Sequence, residues 1–175
     1  MRKSNLVLVF LLCHLGCSGY QGEYNAVMHV AEPQPLDEII IILEGTKNWA
    51  TTNLQYHITR TTTAEVTLLI VKHGAEIVKS NKRQGILVFS HSGVQEAEGV
   101  ESVNLTAVLY AVESRVVYDI GPSGKGTLTN IGRVIWNASE RQSIQQLEQP
   151  QVPFEFCIHT IDRLRKAGLL NKVQI

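Results

Sequence analysis

Apolar residues are spread unevenly along the chain, and the first uninterrupted apolar run lies at the N-terminus. Arg2 and Lys3 precede this run, which covers residues 6–12, and a cluster of small residues follows at 16–19. An apolar run this short cannot cross a hydrocarbon core of about 30 Å. The order of positive charge, apolar run and small residues is typical of an export signal. The pattern therefore predicts a signal peptide over residues 1–16.

The next segment, residues 17–35, is polar and has no clear periodicity. It contains two glycines and two prolines that interrupt regular structure, at positions Gly19, Gly22, Pro33 and Pro35. This composition predicts a tether between an anchor and a single globular domain over residues 36–175.

Apolar residues then recur at close to 3.6-residue spacing between Leu36 and Leu54. Pro35 and the acidic pair at 37–38 are typical of the start of a helix. We predict the main helix over residues 36–54. The run 39–43 also fits a buried strand, and that alternative stays open.

Alternation of apolar and polar residues predicts the sheet. Predicted strands cover 59–72, 86–89, 102–112, 115–120 and 127–136, and the last two form a hairpin around the turn at 121–126. Residues 75–84 are predicted as a loop or a short turn of helix, and 139–147 as an exposed helix or loop. Residues 154–158 are predicted to begin a strand, and a last helix to run from Thr160 through Leu170.

These elements predict an α+β fold, in which one main helix packs on an antiparallel sheet of about five strands and a second helix lies near the C-terminus. A β-sandwich-like domain with incidental helices is the alternative.

The balance of charged residues limits the classes of partner that the chain is expected to bind. The 175 residues include 16 basic and 16 acidic side chains, and only 18% of residues are charged. A neutral chain lacks the basic footprint of a nucleic-acid-binding protein, so we expect no nucleic-acid partner. No second long apolar run follows the N-terminal one, so we expect no membrane span in the rest of the chain.

The segment Leu15-Gly16-Cys17 resembles the box at which bacterial lipoproteins are processed. The resemblance implies a diacylglycerol on the thiol of Cys17, a cut just before it and a mature protein held at the cell envelope. His14 departs from the pattern, which has an aliphatic residue there. A plain signal-peptidase cut that yields a secreted protein, or an uncleaved anchor, is the alternative.

Residues 35–110 resemble the second type of trypsin-co-occurring domain found in bacteria. The resemblance rests on Pro35-Leu36-Asp37-Glu38-Ile39-Ile40, Ala64-Glu65-Val66-Thr67-Leu68, Gly85-Ile86-Leu87-Val88-Phe89-Ser90 and Val103-Asn104-Leu105-Thr106-Ala107-Val108-Leu109. It implies one helix on a three-stranded sheet and an accessory role beside a trypsin-like protease. It implies no catalytic residue. The export signal and the C-terminal third of the chain are additions to that pattern.

Candidate catalytic and metal sites are sparse. The glycine-rich turn at 121–126 lacks the spacing and the Ser or Thr of a phosphate-binding loop. His91 lies between two serines at a predicted strand end. Cys157 and His159 share one face of a predicted strand, where His57 or His73 would have to complete a metal site. Two sequences match the glycosylation acceptor pattern, at Asn104 and Asn137.

These observations predict a non-enzymatic accessory or interaction protein that is anchored to the membrane by its N-terminal lipid and faces the periplasm or exterior. We expect a protein partner, and we predict no catalytic, cofactor-binding or metal-binding residue. The first alternative is an extracytoplasmic carrier of a small apolar or lipid molecule bound between helix and sheet. The second is a hydrolase that uses His91 or Cys157.

Overall fold

A computed structural model describes residues 24–44, 51–69, 75–97, 100–121, 126–147, 149 and 151–173. They form an α+β fold in three layers, which confirms the predicted class. A seven-stranded main sheet is central, helices cover one of its faces, and a three-stranded small sheet covers part of the other.

The main sheet contains strands from most of the described chain. Its spatial order is β1 (Tyr24–Met28), β10 (Val134–Ser143), β7 (Val100–Ala111), β5 (Gln84–His91), β2 (Glu38–Leu43) and β3 (Glu65–Leu69), while β6 (Gln95–Ala97) pairs with the start of β7. Strand β2 is parallel to both β3 and β5, and the other pairs are antiparallel. The small sheet joins β4 (Ala75–Ile77), β8 (Val116–Ile120) and β9 (Gly126–Thr129) in antiparallel order.

The helices are α1 (Thr51–Thr61), α2 (Ile144–Leu147) and α3 (Gln151–Lys166). Helices α1 and α3 pack on the same face of the main sheet, where α3 inserts Phe156 against Phe89 with ring centroids 6.0 Å apart. The core of this layer also contains Ile41 and Leu109, neither of which is exposed to solvent. Burial of these apolar side chains stabilises the layer by roughly 1.5–3 kcal/mol for each large residue.

The small sheet builds a second core on the opposite face. Ile40 and Val88 of the main sheet meet Val116 and Tyr118 of the small sheet there. Strands β2 and β5 are therefore covered on both faces, which is why their apolar residues run consecutively instead of alternating.

The predicted helix over 36–54 is wrong, and the strand alternative for 39–43 is the one found. Residues Ile39 to Ile42 are each at most 5% exposed, which a helix packed on one face could not achieve. Helix α1 covers Thr51–Thr61, and residues 45–50 of the predicted helix lie outside the described residues. The spacing of apolar residues in this segment suits both structures, and burial on both faces decides for the strand.

The sheet also differs from the predicted antiparallel sheet of about five strands. It is mixed, because β2 is followed by α1 and returns as the parallel β3. The predicted strand 59–72 begins too early, since Thr59 to Thr61 close α1. The loop predicted at 75–84 contains β4.

The predicted hairpin exists as β8 and β9, but it belongs to the small sheet and does not extend the main one. The predicted returning strand 127–136 is divided between the two sheets. Asn130 has a φ of 58°, in the left-handed region, and this residue ends β9 before β10 begins.

The structure also differs from the prediction near both ends of the described chain. Within the segment predicted as a tether, residues 24–28 form the edge strand β1 of the main sheet. The predicted strand at 154–158 is instead part of α3, which begins at Gln151 rather than Thr160. Pro153 lies in the first turn, where a missing N–H breaks no helical hydrogen bond. Among the described residues, no helix is long and apolar enough to span a membrane.

Candidate functional site

Cys17, the predicted lipid attachment site, lies outside the described residues, as does His73. Cys157 lies on α3 in the core and is not exposed to solvent. Burial raises the pKa of its thiol well above the usual value. A reactive cysteine needs an accessible thiolate, so this environment argues against Cys157 as a nucleophile.

The candidate histidines lie in different parts of the fold. His91 ends β5, and its Nδ1 lies 2.9 Å from the carbonyl oxygen of Ser92. His57 lies on α1, and its Nε2 is buried with no hydrogen-bond partner within the described part of the chain. His159 is exposed on α3, whereas Cys157 is buried, so the shared strand face predicted for these two residues does not exist. No group of His, Cys, Asp or Glu side chains suited to a metal ion occurs among the described residues.

A cavity of about 340 Å³ opens at one end of the main sheet, and we call it the strand-end cavity. Five chain segments form its walls: the connection before β2, the loop before β5, the end of β7, the start of β10 and the turn after α3. Its lining residues are Val30, Glu32, Gln34, Leu36, Lys79, Arg83, Gln84, Ala111, Val112, Glu113, Arg133, Ile135 and Leu169. The volume falls in the range of small-molecule sites.

Backbone hydrogen bonds join these walls. The N–H of Leu36 donates to Leu169 O at 2.9 Å, and the N–H of Ala111 donates to Arg133 O at 2.9 Å. The N–H of Val112 donates to Gln84 O at 3.1 Å. Because backbone contacts fix the walls, the cavity is preformed and does not depend on a ligand for its shape.

The charged rim is only loosely paired. Arg133 Nε lies 3.6 Å from Glu113 Oε1, and Arg83 Nε lies 3.5 Å from Asp37 Oδ2. The backbone N–H of Arg83 donates to Asp37 Oδ2 at 2.9 Å, and this bond, more than the guanidinium, holds the pKa of Asp37 below its usual value. The side chains of both arginines are more than half exposed, so these ion pairs contribute little.

A second polar cluster lies between the two sheets. The Tyr118 hydroxyl donates to Glu44 Oε1 at 3.2 Å. Burial, with the nearby carboxylate, raises the pKa of Tyr118 to about 12, and burial raises the pKa of Glu44. Gly126 passes directly over this ring, where any β-carbon would overlap the phenol. We interpret the cluster as a contact that fixes β9 and β8 on the main sheet.

A third feature is the part of the main sheet that faces away from the helices and lies beyond the small sheet. We call it the open face. Its side chains are partly or fully exposed and come from β1, β5, β7 and β10: Asn25, Val27, Ser90, Asn104, Thr106, Val108, Asn137, Ser139 and Arg141. Amides and hydroxyls predominate, and Arg141 is the one charged side chain of this set.

Hydrogen bonds order the open face. Ser90 Oγ and Thr106 Oγ1 are 2.7 Å apart, and His29 Nε2 lies 2.5 Å from Asn137 Oδ1. The two glycosylation-type asparagines, Asn104 and Asn137, both lie on this face. Alternation along the strands places such residues on one side, but their assembly into one surface depends on the strand order, which the sequence does not reveal.

Edge strand β1 is held to the fold from its other side. Tyr24 packs against Phe156 with ring centroids 5.8 Å apart, and its hydroxyl lies 3.2 Å from Thr160 Oγ1. Burial raises the pKa of Tyr24 to about 12. These contacts anchor the inner face of β1, while Val27 on its outer face remains 50% exposed.

Comparison with known proteins gives little further guidance. No family model matches the sequence, and no curated protein matches it. The fold is weakly similar to a PelC dodecamer from Paraburkholderia phytofirmans, at 16% identity over 70% of this chain and 81% of that chain, with a TM-score of 0.34. A single-residue variant of that protein matches at 12% identity over 70% and 82%, with a TM-score of 0.31. Overlaps this low do not establish a shared function.

Proposed function

We propose that this chain is a non-enzymatic accessory protein, anchored in a bacterial envelope through a diacylglycerol on Cys17, and that it binds another protein through the open face. The observation that carries the proposal is the composition of that face. Protein interfaces are depleted of charge at their centres, because a charged group is costly to remove from water. The open face offers amides, hydroxyls and two valines around a single arginine.

Chain length places this surface close to the proposed anchor. Cys17 and Tyr24 are seven residues apart, so they are separated by at most about 25 Å. A lipid on Cys17 would therefore hold β1, and the open face beside it, near the membrane surface. More than one acyl chain is needed for firm attachment, as a fully processed lipoprotein would have.

The experiment compares two exposed valines. Val27, on the open face, is 50% exposed, and Val78, in the loop after β4, is 64% exposed. A photo-crosslinking amino acid is placed at position 27, 139 or 78 of the full chain in cells. We expect discrete adducts with a protein from positions 27 and 139, and none from 78.

Val27→Arg, examined with the crosslinker at position 139, should remove that adduct because it places an unpaired charge at the contact. Val78→Arg is the matched control and should leave the adduct intact. Adducts of equal yield from all three positions, or none from 27 and 139, would overturn the proposal. The peptides of the adduct, identified by mass spectrometry, decide whether the partner is a trypsin-like protease, as the family resemblance implies.

The carrier alternative is favoured by one specific observation, the strand-end cavity. The predicted place for a ligand, between helix and sheet, is filled by fully buried side chains such as Phe156 and Ile161. A bound molecule would therefore lie at the end of the sheet. For the hydrolase alternative, the burial of Cys157 weighs against that residue, and His91 is the remaining candidate.

A further inference from the structure

We infer that the strand-end cavity binds a free amphiphilic carboxylate, with its apolar tail on the cavity floor and its carboxylate at Arg83 and Arg133. The inference rests on the carrier alternative and not on the open face. The two proposals can therefore fail separately.

The floor of the cavity fits an apolar tail. Leu36, Val112, Ile135 and Leu169 contribute to it, and each of them is at most 8% exposed to solvent. Val30 and Ala111 complete the apolar lining. A tail that binds on this floor leaves water and contacts side chains that are already fixed by their own packing. Binding therefore costs little conformational entropy of these side chains.

The rim fits an anionic head. Three cations, Lys79, Arg83 and Arg133, line the cavity with two carboxylates, Glu32 and Glu113, while Asp37 lies beside Arg83 outside the lining. Both arginines lie more than 3.4 Å from their carboxylate partners, beyond the 2.7–2.9 Å of a charge-assisted hydrogen bond. A ligand carboxylate that approaches either guanidinium within that range gains more than the existing pairs lose.

Arg83 is available for a further reason. Asp37 also accepts a hydrogen bond from the backbone N–H of Arg83 at 2.9 Å, so its carboxylate keeps a partner when the guanidinium turns toward a ligand. Arg83 Nη1 donates to Gln34 Oε1 at 3.2 Å, a neutral partner at the same rim. Reorientation of this side chain toward a ligand therefore leaves no buried charge unpaired.

The full mature chain is titrated by calorimetry with sodium decanoate, octanoate, acetate and decyltrimethylammonium. We expect saturable one-to-one binding of decanoate, and no binding of acetate because it has no tail. Octanoate should bind more weakly, by up to about fourfold per methylene, since a buried methylene is worth ~0.8 kcal/mol. The cation with the same tail should bind at least about tenfold more weakly than decanoate, the equivalent of ~1.4 kcal/mol.

Substitutions at the rim and in the lining test whether decanoate binds in the strand-end cavity. Arg83→Gln and Arg133→Gln should each weaken decanoate binding about fivefold or more. The matched control is Arg115→Gln, because Arg115 is also exposed and also paired with a carboxylate, that of Glu76 on the small sheet. It should leave the affinity unchanged, and so should Val27→Arg on the open face. Val30→Trp, which fills the cavity, should abolish binding and tests the site independently of charge.

Three results would overturn the inference: no saturable decanoate binding, equal binding of decanoate and decyltrimethylammonium, or equal weakening by Arg115→Gln and Arg133→Gln. Vesicles with and without anionic phospholipid distinguish the source of the head group. Binding to anionic vesicles that is sensitive to Arg133→Gln, without binding of free decanoate, would replace the carboxylate ligand by a membrane contact and refute the inference as stated.

Discussion

Gly132 is the position at which the structure makes its sharpest prediction about stability. It lies between β9 and β10, beside the end of β7. A β-carbon added there would overlap the carbonyl oxygen of Ala111 and lie 3.1 Å from both its carbonyl carbon and Glu113 Cγ. Backbone atoms cannot rotate away as a side-chain end can, so Gly132→Ala must displace the strand end.

The cost can be assembled from its parts. Overpacking costs about 1–3 kcal/mol. Displacement also disturbs the hydrogen bond from the Ala111 N–H to Arg133 O, 2.9 Å long and worth about 1 kcal/mol. Alanine also lowers the conformational entropy of the unfolded chain, which offsets about 0.4–1 kcal/mol of this loss. The expected net loss is therefore about 1–3 kcal/mol in the free energy of unfolding, and Tm should fall by about 2–4 °C for each kcal/mol.

Two other glycines provide controls for the same substitution. Nothing lies within 4 Å of a β-carbon at Gly93, so Gly93→Ala should be neutral or slightly stabilising. At Gly85 the β-carbon would lie 2.7 Å from Leu36 Cδ1 and 3.0 Å from Leu109 Cδ1, which are side-chain ends, so the loss should be intermediate. Urea unfolding followed by circular dichroism measures all three. If Gly132→Ala and Gly93→Ala unfold at the same urea concentration, the close approach of Gly132 to Ala111 is refuted.

Three further predictions concern the cores and the contact between the sheets. The thiol of Cys157 should react with Ellman's reagent only as fast as the protein unfolds, because it is fully buried and its pKa is raised; rapid labelling of the native protein would contradict this. Phe156→Ala should cost about 3–5 kcal/mol in urea unfolding, since its ring fills the core against Phe89, and a loss below 1 kcal/mol would contradict the packing. The pKa of the Tyr118 phenol is near 10 in the unfolded chain and about 12 in the fold. The folded state therefore binds more protons between these two pH values, and stability should fall as pH rises through them. Tyr118→Phe should reduce that fall, and an unchanged alkaline profile would count against the buried phenol.

Much of the fold follows from local sequence patterns. The strands around Leu87 and Leu105 alternate or run apolar in the expected way, and their positions are confirmed by β5 and β7. The hairpin of β8 and β9 is likewise confirmed. Strand β7 is predictable because its alternating pattern matches one period only, and β5 because a short apolar run bounded by turn residues favours a strand.

The predictions of secondary structure are wrong where contacts between distant parts of the chain determine whether a segment is helix or strand. Residues 39–43 have a pattern that suits helix and strand equally, and the small sheet that covers their second face comes from residues far along the chain. The predicted strand at 154–158 is helical, with Phe156 and Cys157 facing the core and Phe154 partly exposed, because the sheet needs a cover over β5 and β7.

Neither candidate surface could be located from the sequence. The strand-end cavity combines residues from five separate segments, and Arg83 and Arg133 line the same cavity only through the strand order. The open face likewise depends on the pairing of β1 with β10, two strands that are far apart along the chain. Local patterns identify which residues share one face of a strand, but not which strands are adjacent.

The intact mass of the mature protein extracted from membranes tests the proposed lipid anchor most directly. We expect a chain that begins at Cys17 and has a diacylglycerol on the thiol, and Cys17→Ser should retain residues 1–16 and lose the lipid. Wild type should stay with the membrane fraction in high salt, because salt screens charge contacts but does not weaken a hydrophobic anchor. A mature chain without lipid, or a Cys17→Ser variant of the same size and distribution as wild type, would contradict the proposed lipid anchor.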